Sequence, residues 1–118
     1  MTIEEFDKIE LCAAKVLSAE RVTGSEKLLR LEIDAGDKNE AGEPIRRQLV
    51  AGIGKAYEPE PLIGREIIIV ANLDPRQFKI SPELVLESQG MLLAVLDADG
   101  KPALLCPERE VPPGTRAR

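Results

Sequence analysis

Histidine and tryptophan are both missing from these 118 residues, and only three aromatic side chains are present, Phe6, Tyr57 and Phe78. Without histidine the commonest general base and metal ligand is gone. The two cysteines, Cys12 and Cys106, are too few for a structural zinc site and too distant in sequence to suggest a disulfide framework. Both lie in apolar runs and are expected to be buried free thiols; no metal and no cofactor is expected. The aromatic shortage argues against a base-stacking platform, where each stacked base contributes about 1 to 3 kcal/mol. Positive charge is also short, and a net charge of -5 disfavours general affinity for nucleic acid. No apolar run approaches the eighteen residues of a membrane span. The start, MTIEEFDKIE, is acidic and lacks the basic and long apolar parts of a signal peptide, so the cytoplasm is the expected location.

What is present fits one domain spanning residues 1–118, with a core built from Ile, Leu, Val and Ala. The charge is unevenly placed. From Pro44 to Lys79 there are six basic residues (Arg46, Arg47, Lys55, Arg65, Arg76, Lys79) against four acids (Glu58, Glu60, Glu66, Asp74), so a mildly positive region lies on an acidic body.

Thr2 and Glu5 have the spacing of a helix-capping box, which predicts a short helix from Ile3 to about Lys8 with Phe6 turned inward. Ile9 to Val22 reads as a long, bent first strand, with Leu11, Ala13, Lys15, Leu17 and Ala19 on one face and Val16 opposite. Leu29, Leu31 and Ile33 alternate with Arg30, Glu32 and Asp34, a half-buried strand. Asp37 to Pro44 reads as an exposed hairpin loop without function, and Arg46-Arg47 as either a solubilising strand edge or a phosphate contact. Asp74 to Glu87 reads as a long loop in which SPELVLE starts a short helix capped by Ser81, with Pro82 first. Gly90 to Leu96 and Pro102 to Cys106 are two strands joined by a tight turn, Asp97 to Gly100. The tail from Pro107, rich in proline, should be extended.

The chain is organised around residues 48–76. Gln48 to Ile53 and Ile67 to Leu73 are apolar strands, and the segment between them carries Glu58-Pro59-Glu60-Pro61, suited to starting a short crossover helix. VAGIGKAYEPEPLIG, VANLDPR, SQGMLLAV and DADGKPALLCPEREVPPGTR occur in this order. Together they resemble the tRNA-binding domain appended to methionyl-tRNA synthetases and also found as a free-standing protein. The resemblance implies an all-β fold: a five-stranded Greek-key oligonucleotide/oligosaccharide-binding (OB) barrel, here with the short N-terminal and crossover helices. It also implies tRNA as partner, a homodimer formed through the terminal segments, and association with an aminoacyl-tRNA synthetase. In typical members the connection after Asp74 is several residues shorter, and an arginine often stands where this chain has Cys12, which removes one expected phosphate contact.

By the same resemblance Ser88 and Met91 lie on the tRNA-binding surface, with Gln89 between them. Locally the same pattern fits a serine opening a strand and a methionine filling the core. Lys15 and Asn72 match family positions, Asn72 being able to bond ribose or phosphate, and Lys55, Arg76 and Lys79 complete the expected RNA-binding set. Catalysis is not expected, because the acid pairs Asp97/Asp99 and Glu58/Glu60 fall in turns without a nucleophile nearby. Gly52-Ile53-Gly54-Lys55 lacks the full phosphate-loop pattern and a long following helix, and its glycines suit a barrel bend. The reading is therefore a non-catalytic tRNA-binding module, with two alternatives: a chaperone or export-type polypeptide binder of the same fold family, and a scaffolding module for a synthetase complex.

Overall fold

The alternation of Leu29, Leu31 and Ile33 with charged neighbours builds β2 (Leu29–Asp34), whose three apolar residues are fully buried in the computed structural model, which describes residues 1–118. β2 lies between β1 (Leu11–Arg21) and β3 (Arg47–Ala51), antiparallel to both. β3 leads through a one-turn 3-10 helix, Glu60–Leu62, to β4 (Glu66–Val70), which crosses to the far edge of β1. The barrel sheet ends in the short β7 (Met91–Leu92), giving the order β3-β2-β1-β4-β7. Two hairpins stand outside this sheet: β5 (Arg76–Ser81) with β6 (Leu84–Ser88), and β8 (Ala94–Leu96) with β9 (Pro102–Leu104). The expected all-β, nearly closed five-strand OB-type barrel is therefore present.

The N-terminal helix α1 is shorter than expected, Ile3–Phe6, but its capping box forms: Thr2 Oγ1 accepts from the Glu5 amide and the Glu5 carboxylate accepts from the Thr2 amide. Phe6 is only half-buried.

The facing of β1 differs from the sequence expectation. Cys12, Ala14 and Val16 enter the core, not Leu11, Lys15 and Leu17. A bulge between Val16 and Ser18 then shifts the phase, so that Ala19 packs against the core from the odd-numbered set. Because strand side chains alternate with period two, one extra residue moves every later side chain to the other face.

The segment 74–87 also differs: instead of a loop and a helix it forms the β5–β6 hairpin, with Ser81 opposite Leu84 and only Pro82 and Glu83 between them. Proline's fixed φ suits the second residue of a tight turn as well as the first turn of a helix, and the alternating LVLE that follows favours a strand. The strand expected over Gly90 to Leu96 breaks at Leu93, whose amide donates to Ile68 O at 2.9 Å while its carbonyl accepts from the Leu105 amide. The turn at Asp97–Gly100 forms as expected, its Asp97 side chain accepting from the Asp99 and Lys101 amides.

The tail lies along its own barrel. Ala13 N donates to Thr115 O (2.9 Å), Gly114 N to Ala13 O (2.7 Å) and Ala117 N to Leu11 O (2.8 Å), beside the part of β1 that β2 does not reach. Arg116 adds hydrogen bonds to the carbonyls of Asp7 and Ile9.

Only one of the two cysteines is buried, which corrects the expectation for Cys106. Cys12 faces the core, and burial raises its thiol pKa against the opposing pull of Arg47. Cys106 follows β9 where the chain leaves the sheet, and its Sγ is exposed and 3.6 Å from Arg65 Nη2. Ellman's reagent should therefore titrate one thiol per native chain rapidly and the second only on unfolding, and Cys106→Ser should remove the rapid phase.

Candidate nucleic-acid interface

A sheet curled into a barrel must satisfy the outer edge of β3, and here the segment 87–90 does so largely with side chains. Gln89 N donates to Gln48 O at 2.8 Å, the one backbone pair of this closure. Gln89 Oε1 accepts from Gln48 N (2.9 Å), Gln48 Nε2 donates to Glu87 O (2.9 Å), and Ser88 Oγ accepts from Val50 N (3.0 Å). The Ser88 hydroxyl donates in turn to Gly90 O at 2.9 Å, and the residue is only 3% exposed. Gly90 has φ +131°, and a Cβ there would stand 3.0 Å from Val70 O and 3.4 Å from Leu49 Cδ2. No other residue fits this approach without displacing the β4 backbone.

Arg47 locks the same closure. Its Nη1 donates to Ala71 O (2.6 Å) and Gln89 O (3.2 Å), while Nε and Nη2 grip the Asp37 carboxylate at 2.5 and 3.0 Å. The hydrogen bond to Asp37 raises the already high guanidinium pKa, against the opposing effect of burial. The sequence reading of Arg47 as a solubilising edge or a phosphate contact, and of the 37–44 loop as functionless, missed this pairing, because the Asp37 carboxylate meets Arg47 only once the loop has returned to β3.

Directly outside this closure is a small cleft of about 80 Å³, floored by Ser88 and Gly90 and walled by Leu73, Asp74, Arg76, Phe78 and Met91. The Arg76 guanidinium stacks on the Phe78 ring, 4.5 Å from its centroid. These residues are two apart on β5, a spacing that was readable once the segment was known to be a strand. Met91 is 50% exposed, so it is a surface residue and not a core gap-filler.

The remaining expected site residues are dispersed. Lys79 is exposed on β5, at odd spacing from Arg76 and Phe78 and hence on the other face of the hairpin. Asn72 is engaged within the fold: Oδ1 accepts from Glu10 N (2.9 Å) and Nδ2 donates to Lys8 O (2.6 Å), pinning the entry to β1. Lys15 lines a separate cavity with Arg65, Cys106 and Arg109. Lys55 lies in a third, with Lys27 and Lys101.

Residues 11–116 match the family model described as "Putative tRNA binding domain". The chain belongs to this family. It is 41% identical over 121 residues to a methionine–tRNA ligase of Azoarcus sp. strain BH72, and 45% identical over 115 residues to that of Methanothrix thermoacetophila. These alignments cover 100% and 98% of the chain but only 16% and 15% of the ligases, so the chain spans about one sixth of these relatives. Among solved structures, the MetRS related protein from Pyrococcus horikoshii superposes with a TM-score of 0.83 at 34% identity, covering 100% of this chain and 97% of that one. The chaperone CsaA from Bacillus anthracis follows the same fold, with a TM-score of 0.79 at 32% identity over 100% and 98% of the two chains.

The geometry separates two kinds of residue within one motif. Ser88→Ala strands the Val50 amide and should cost about 1 to 3 kcal/mol, whereas Met91→Ala, trimming a half-exposed side chain, should cost less than about 1 kcal/mol. Denaturant unfolding of the two variants checks the order.

Proposed function

We propose that the chain is a non-catalytic tRNA-binding module that meets RNA through the cleft outside the barrel closure, reading shape and backbone more than sequence. The observation that carries this reading is the half-exposed Met91 in one cleft with Arg76, whose guanidinium lies over the Phe78 ring, just outside the barrel closure. Arg76 offers a planar, multidentate donor to a phosphate, and Met91 offers polarisable surface to a ribose or base edge. Ser88, Gln89 and Asn72 serve by positioning: their polar atoms hold the strands that present the cleft. Lys79, Lys15 and Lys55 lie outside this cleft and would add to binding only through long-range attraction of the RNA backbone.

With about three to five phosphates neutralised, log affinity for tRNA should fall with log salt with a slope of magnitude roughly 2 to 4. Arg76→Gln with Met91→Ala should weaken binding several-fold without a matching loss of stability. Salt-independent affinity, or normal binding by this folded double variant, would refute the site.

The module's proposed role is to raise the tRNA affinity of a methionyl-tRNA synthetase, as part of it or as a separate chain, in the cytoplasm. Its proposed state is a homodimer, because Val95 on the β8 hairpin stays 60% exposed while the tail is already seated on its own β1. Sedimentation should give twice 12.9 kDa, and Val95→Glu should shift the mass to that of one chain. The likeness to chaperone CsaA supports polypeptide binding as a second reading. Competition separates the two: excess unfolded polypeptide should leave tRNA binding intact if the first holds.

A further inference from the structure

Lys27, Lys55 and Lys101 come from three separate turns yet line one open cleft of about 600 Å³. No carboxylate lines it, although the chain carries 21 acids against 16 bases. None of the three lysines is ion-paired, since every ion pair in the molecule uses an arginine. The nearby Glu58 is occupied by Arg21 at 3.1 Å.

Each lysine stands on pinned backbone. Lys27 O accepts from Gly54 N at 2.7 Å, and its side chain lies across Gly52, where an added Cβ would come 2.9 Å from the lysine Cε. Lys55 sits in a turn closed by the Ala56 and Tyr57 amides, both donating to Ile53 O at 3.0 Å. Lys101 is held at both backbone ends by Asp97: its carbonyl accepts from the Asp97 amide (2.8 Å) and its amide donates to the Asp97 side chain (2.9 Å). Three cationic side chains around one cleft, with no carboxylate in its lining, favour an anion as its occupant. Ile53, Ala56 and Leu96 give the cleft an apolar wall beside the charge.

We propose that this cleft is a nucleotide-phosphate site, with the lysines on the phosphate and the apolar wall against the sugar or base edge. The nucleotide is either one residue of the bound RNA, in which case the inference rests on the tRNA reading and gives the chain a second grip distant from Arg76, or a free nucleotide. The test compares wild type with Lys27→Gln/Lys101→Gln, using tRNA and ATP as separate probes and the amide NMR signals of residues 27, 55 and 101 as reporters. For an RNA source, tRNA shifts these signals, and the double variant binds tRNA about tenfold more weakly with a salt slope smaller by roughly 1.5. For a free source, ATP shifts them saturably in wild type and not in the variant. A Lys27→Arg/Lys101→Arg variant, which keeps the charge, should restore most of either effect. If neither probe moves the three signals, the site does not exist. Failure of the tRNA reading alone would appear differently, as a wild-type chain that ignores tRNA while ATP still shifts the cleft.

Discussion

The fold depends on how β3 is joined to β7. A strand edge left open costs unsatisfied amides and carbonyls and invites pairing with other chains, but β7 is two residues long and cannot run a full ladder along β3. The Gln89 amide group, the Gln48 amide group and the Ser88 hydroxyl fill the positions that a longer strand's backbone would have filled. Arg47 spans the closure, tied to the carbonyls of Ala71, just after β4, and Gln89, just before β7, and held by Asp37. Removing one partner from such a half-buried pair leaves a charge without its match, which is costly even where the intact pair contributes modestly.

The candidate site inherits its rigidity from this closure. The residues that hydrogen-bond across it also set the floor of the cleft, while its walls, Leu73, Asp74, Arg76, Phe78 and Met91, take no part in those bonds. The SQGM motif therefore joins buried framework, in Ser88, to an exposed side chain, in Met91. A serine that is nearly fully buried acts on a ligand only through the backbone it positions, and Gly90 allows the close approach that brings Met91 to the surface.

Much of the barrel was legible in the sequence, for identifiable reasons. Leu29, Leu31 and Ile33 announced β2 because burial on one side imposes period two, and the Thr2–Glu5 spacing announced α1 because capping is local chemistry. The failures were equally physical. The β1 bulge lies in a run where Ala, Leu and Val occupy both parities, so neither face stood out. Pro82 suits a helix start as well as a hairpin turn, and only pairing with β6 decides between them. Arg47 with Asp37, and Asn72 with Lys8 and Glu10, are contacts set by how loops return in space, which spacing along the chain does not encode.

The β5–β6 hairpin has a further consequence. β5 pairs with β6 alone, and β6 reaches the barrel through its last residues, so the hairpin projects from the closure without sharing the main sheet's ladder. Lengthening such a projection costs little, because the entropy of closing a longer connection grows only with the logarithm of its length. Its extent is thus an adjustable dimension of the candidate face: residues added between Lys79 and Val85 would change how far that surface projects while leaving the core packing untouched.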